Sequence, residues 1–110
     1  MDELILKPLV YVLSLEHNKY YVGITYNLNV RYAQHTQDQG SKWTKLHKPT
    51  GIVEVKPEAN KTDEGLITLK YMKKYGIENV RGGGYCKLDL TPNTISNIQK
   101  KIEDLTSIFT

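Results

Sequence analysis

Five residues of this chain carry side chains suited to moving protons and charge around a phosphate: Tyr11, Tyr21, Arg31, His35 and Glu64. An arginine grips phosphate oxygens through its planar fork. A histidine and phenols transfer protons. Glu64 is the one good hard-cation ligand of the set. This inventory suits hydrolysis of a phosphodiester with a single divalent ion. It suits acyl transfer poorly, because no Ser or Cys nucleophile is placed beside a base.

These residues work together only if the chain positions them. Residues 9–15, "LVYVLSL", are rich in Val, Leu and Tyr and read as a strand. "EHNK" is a turn, and residues 20–25, "YYVGIT", read as the return strand of a hairpin. Tyr20 and Tyr21 are adjacent, so they point to opposite faces. With the turn centred near Glu16, Tyr11 and Tyr21 stand opposite each other on one side of the sheet. Asn27 is an N-cap for a short helix, "LNVRYAQHT", on which Arg31 and His35 are one turn apart and share a face. Residues 41–49 are polar and basic and read as a loop or short helical turn. The alternating "GIVEVK", residues 51–56, is a third strand. A helix over 63–75, capped by Thr62 or Asp63 and ended by Gly76, puts Glu64 in its first turn. "NVRGGGYC" is a glycine-rich connection, and a last helix spans about 92–108. The expected fold class is α+β: one domain with a small three-stranded antiparallel sheet flanked by helices.

Composition narrows the function further. A chain of 110 residues suits one modest core, and 39% apolar residues exclude a disordered chain. It carries no long apolar run and no basic-then-apolar leader, so neither a membrane span nor a signal peptide is expected. The single cysteine, Cys86, forms no internal disulfide, which fits an intracellular location, cytoplasm or nucleus. The net charge of +3 is mild, but residues 31–48 hold Arg31, Lys42, Lys45 and Lys48 against Asp38 alone. That stretch is a candidate phosphate-facing surface or an ordinary solvated basic loop. The chain has 8 Tyr and 1 Phe, so it keeps hydroxyls where rings are needed.

In order along the chain, "LVYVL", "YVGIT", Asn27, Arg31, His35 and "GSKWT" resemble the GIY-YIG nuclease family. Leu9-Val10-Tyr11 and Tyr21-Val22-Gly23 stand for its two tripeptides, with Leu9 in place of the first glycine. The resemblance spans about residues 9–86. It implies that Tyr11 and Tyr21 line a catalytic wall and that Gly23 leaves room beside it. Arg31 and His35 match the family's Arg and His, Glu64 its metal-binding glutamate and Asn79 its later Asn, with Asp63 or Glu58 as alternatives to Glu64. It further implies DNA as substrate, Mg²⁺ or Mn²⁺ at Glu64, and Tyr11 as general base or as the group that positions the attacking water; as a base its pKa must be lowered by Arg31, the metal, or a hydrogen bond to His35 or Tyr21. Gly23, Lys42, Trp43, Lys45 and Asn79 complete the expected nucleic-acid-facing set, with Trp43 stacking on a base or sugar.

The bland readings differ. Tyr11 and Tyr21 are core rings, Glu64 complements a helix N-terminus, His35 is exposed, Trp43 covers the core edge and Asn79 caps a turn. A non-catalytic binding module, or one subunit of a larger complex that pairs through the last helix, is the competing function.

Overall fold

The computed structural model describes residues 6–109. Strand β1 (Leu9–Leu15) turns through a short 3₁₀ segment, Glu16–Asn18, into β2 (Lys19–Thr25). Helices α1 (Leu28–Thr36) and α2 (Lys42–Leu46) precede β3 (Pro49–Lys56), and then come α3 (Lys61–Tyr75), β4 (Val80–Gly82) and α4 (Pro92–Phe109). The sheet order is β3-β1-β2-β4. β1 is antiparallel to both neighbours, and β4 runs parallel to β2.

The sheet is therefore four-stranded and mixed, where three antiparallel strands were expected. The extra strand hides in the glycine-rich connection. At three residues it is too short to show a period, and its glycine carries no strand signal. Gly82 has φ +145, and a Cβ there would lie 2.1 Å from the Val22 carbonyl oxygen. Only glycine allows the backbone this close to β2.

The hairpin also turns later than expected. His17 and Asn18 take left-handed conformations (φ 65 and 58), and Tyr11 pairs with Gly23 while Leu13 pairs with Tyr21. The displacement is an even one, so Tyr11 and Tyr21 still share a face.

β1 lies between two cores. Val10, Val12 and Val22 pack with Ile67, Leu69, Met72, Val80 and Ile98 under α3 and α4. Tyr11, Leu13, Leu15, Tyr21 and Trp43 form a second cluster on the other face. Full burial of each aliphatic side chain contributes about 1.5–3 kcal/mol. Because both faces are covered, β1 shows no alternation of buried and exposed residues.

α3 starts at Lys61 rather than at residue 63. Its cap is Asn60, which accepts the Asp63 N–H at 3.0 Å, while the Asp63 carboxylate accepts the Asn60 N–H at 2.9 Å. This reciprocal pair satisfies two donors at the helix start. Asp63 is thus committed to the backbone, and Glu64, next in sequence, is left for other work.

Candidate active site

The site assembles on the sheet face covered by α1 and α2. Asn27 caps α1 by accepting the Val30 N–H at 3.2 Å, which fixes where the helix leaves β2. Arg31 and His35 then turn toward the tyrosines. Tyr11 and His35 are fully buried and Tyr21 nearly so. The Tyr11 and Tyr21 rings lie 6.3 Å apart, and the His35 ring is 5.9 Å from the first and 5.0 Å from the second. Tyr11 Oη is 2.8 Å from His35 Nε2.

Gly23 makes this packing possible. A Cβ there would sit 2.3 Å from Tyr11 Oη and 2.4 Å from Cζ. The Tyr11 ring lies across the strand over the space where a side chain would be. Gly23 therefore serves Tyr11 and is itself buried rather than exposed.

The electrostatics set the resting proton positions. Burial, reinforced by Tyr21, pushes the Tyr11 phenol well above its ordinary range, while Arg31 acts in the opposite direction. Burial likewise raises Tyr21, again with Arg31 opposing. The expected lowering of the Tyr11 pKa is thus not found in the protein alone: desolvation outweighs the guanidinium. Burial, with Arg31 adding to it, lowers His35 to about 4. The imidazole is neutral at physiological pH and faces a protonated phenol.

Glu64 comes from the first turn of α3. It is half-buried, and its charge acts on both Tyr11 and Tyr21 as the smallest of the influences on each. Burial raises its pKa, partly offset by Lys61. Its carboxylate accepts no hydrogen bond from any described residue. Among the described residues no group of three or more His, Cys, Asp or Glu is arranged to hold a metal. A lone, half-buried carboxylate fits Mg²⁺, which keeps most of its waters and takes one or two carboxylates.

The remaining expected residues sort differently. Trp43 is buried, its indole N–H donates to the Tyr20 carbonyl at 2.9 Å, and the Arg81 guanidinium lies 4.7 Å from its ring centroid. It is a core residue and offers no face for stacking on a base. Asn79 donates to the Tyr75 carbonyl at 2.7 Å and accepts from Lys19 Nζ at 2.6 Å. It closes the C-terminal end of α3, about 16 Å along the helix from Glu64. Lys42 and Lys45 are exposed on α2.

Three further residues lie near the site. Thr44 is fully buried against His35. Arg81 is buried and donates to the carbonyls of Ile77, Val80, Lys87 and Leu88, tying down the loop that follows β4. That loop brings Cys86 close enough for its charge to act on Tyr21 and for Glu64 to act on it. Thr44 closes the "GSKWT" run, but nothing in the composition of that polar stretch marks it for burial.

The model of the GIY-YIG catalytic domain matches residues 7–76, from just before β1 to the end of α3. The chain belongs to the GIY-YIG family. The match contains Tyr11, Tyr21, Arg31, His35 and Glu64, and GIY-YIG domains define a family of nucleases. β4 and α4 lie beyond the match. Among curated GIY-YIG relatives are UPF0213 proteins of Staphylococcus aureus strains Mu3, Mu50 and N315. Each is 31% identical over 70 residues, covering 59% of this chain and 85% of the relative. No solved structure matches significantly. No helix among the described residues is long and apolar enough to cross a membrane.

Proposed function

We propose that this chain is a divalent-metal-dependent endonuclease that hydrolyses DNA phosphodiester bonds. The observation that carries the reading is the 2.8 Å contact between a buried phenol and a buried neutral imidazole, with a guanidinium and an unpartnered carboxylate acting on the same phenol.

The raised phenol pKa shapes the mechanism. Tyr11 is protonated at rest, so it is no base until it gives up that proton. His35 Nε2 is the acceptor within reach. As a water attacks phosphorus, its proton passes to Tyr11 Oη while the original Tyr11 proton passes to His35 Nε2. Arg31 is placed to stabilise negative charge on the phosphate and on the phenol oxygen. Glu64 would hold the divalent ion. Bound there, the ion supplies Lewis-acid stabilisation of the leaving 3′ oxygen. The products are a 5′ phosphate and a 3′ hydroxyl, the leaving 3′ oxygen taking its proton from solvent. Lys42 and Lys45 supply exposed positive charge for the backbone of the strand.

The experiment is cleavage of supercoiled plasmid and of a branched synthetic duplex with Mg²⁺, with Mn²⁺ and with EDTA, beside Glu64→Gln. Cutting with either ion, none in EDTA and none by the variant is the expected result. Cutting that persists in EDTA overturns the metal requirement.

A further inference from the structure

Thr44 carries no charge and sits on the short helix α2, yet it is fully buried. Its hydroxyl oxygen is 2.9 Å from His35 Nδ1, 3.1 Å from the Ser41 carbonyl oxygen and 3.2 Å from Ser41 Oγ. A hydroxyl has one proton to give. The Ser41 carbonyl can only accept, and it takes the Lys45 N–H as well at 3.1 Å; the Thr44 hydroxyl is in position to donate to it. Ser41 Oγ accepts the Thr44 N–H at 3.1 Å, which leaves its own proton for Thr44 Oγ1. Both Thr44 contacts other than the carbonyl are then ones in which Thr44 accepts. With the Thr44 proton on the carbonyl, His35 Nδ1 is the donor to Thr44 and His35 Nε2 is left bare to accept from Tyr11.

Gly40 seals the contact. A Cβ at Gly40 would lie 2.1 Å from His35 Nδ1 and 2.8 Å from Thr44 Oγ1. No other side chain fits over this bond.

We propose that Thr44 is a positioning residue: by accepting the His35 Nδ1–H it holds the imidazole in the tautomer whose bare Nε2 takes the Tyr11 proton. The inference rests on the nuclease reading for its catalytic consequence, but the tautomer is a property of the free protein. During the reaction the proton that leaves Tyr11 bonds to Nε2, the water proton bonds to Tyr11 Oη, and the Nδ1 proton stays on Nδ1, hydrogen-bonded to Thr44 Oγ1. With the opposite tautomer, Nε2–H would donate to Tyr11 and could take no proton from it.

The test is ¹⁵N NMR of the His35 ring in the full chain at neutral pH, for wild type, Thr44→Val and Thr44→Ser, with plasmid cleavage on the same samples. Wild type is expected to carry its ring proton on Nδ1. Thr44→Val is expected to move it wholly or partly to Nε2 and to lower kcat by roughly 10–100-fold with KM unchanged. Thr44→Ser restores both. A wild-type ring protonated on Nε2 overturns the proposal, and needs no variant to show it. So does a Thr44→Val ring that keeps Nδ1–H. If Thr44→Val does not fold, the wild-type and Thr44→Ser spectra decide. A wild type that cuts no DNA, with the ring proton moving as described, defeats the nuclease reading and leaves the tautomer assignment standing.

Discussion

Tyr20 and Tyr21 are neighbours in one strand and occupy different chemical worlds. Tyr20 stacks on Tyr75 with ring centroids 4.2 Å apart and touches Tyr71 at 5.7 Å. The one carboxylate hydrogen-bonded within that cluster, Glu54, is already engaged by the Tyr71 hydroxyl at 2.7 Å. Tyr21 instead faces His35, with Arg31 and Glu64 acting on it. The difference lies in what each helix brings to the sheet. The middle and end of α3 bring rings, which make structure. α1 and the first turn of α3 bring an imidazole, a guanidinium and a free carboxylate, which make a site. A tyrosine is read by what stands at its hydroxyl, not by its ring.

The contrast can be broken most sharply at Gly23. Gly23→Ala places a methyl inside the Tyr11 ring, so the ring must move off His35. Displacement of about 1 Å at a reacting group costs on the order of 100-fold in rate. Overpacking adds a loss of about 1–3 kcal/mol in stability. Cleavage rates and thermal melts measure both.

Acidification separates the faces next. The folded chain holds His35 neutral down to about 4, while the unfolded chain takes up that proton near 6.5. Unfolding therefore binds a proton between those values, and stability falls as pH drops from about 6.5 toward 4. The stabilisation is complete above that window. The Tyr20–Tyr71–Tyr75 cluster contains no histidine and contributes nothing to it. Melting temperature against pH should show a steeper acid decline in wild type than in His35→Gln.

The smallest effect belongs to the structural face. Tyr71→Phe removes the bond to Glu54 that ties α3 to β3, a loss of about 1 kcal/mol. Cleavage should be unchanged.

Much of this was legible in the sequence because local pattern decides it. β1, β2 and α1 follow from Val/Tyr-rich runs and from Asn27 as a cap. Tyr11 and Tyr21 fall on one face although the hairpin turns later than expected, since parity survives an even displacement. What local pattern does not decide was misplaced. β4 is three residues long and is a strand only because Gly82 lies against Val22. Trp43 is buried with Tyr11, Leu13, Leu15 and Tyr21, and Arg81, far along the chain, lies against its ring. The Tyr11 pKa depends on desolvation, which is set by the whole fold. Thr44 earns its place from a single contact across nine residues.

The most direct measurement compares plasmid and branched-duplex cleavage in Mg²⁺ by wild type, Tyr11→Phe and Tyr20→Phe. If the face carrying Tyr11 does the chemistry, wild type and Tyr20→Phe cut at similar rates, and Tyr11→Phe is slower by roughly 10²–10⁴-fold. Equal cutting by Tyr11→Phe and wild type, or loss of cutting in Tyr20→Phe with its fold intact, contradicts the account.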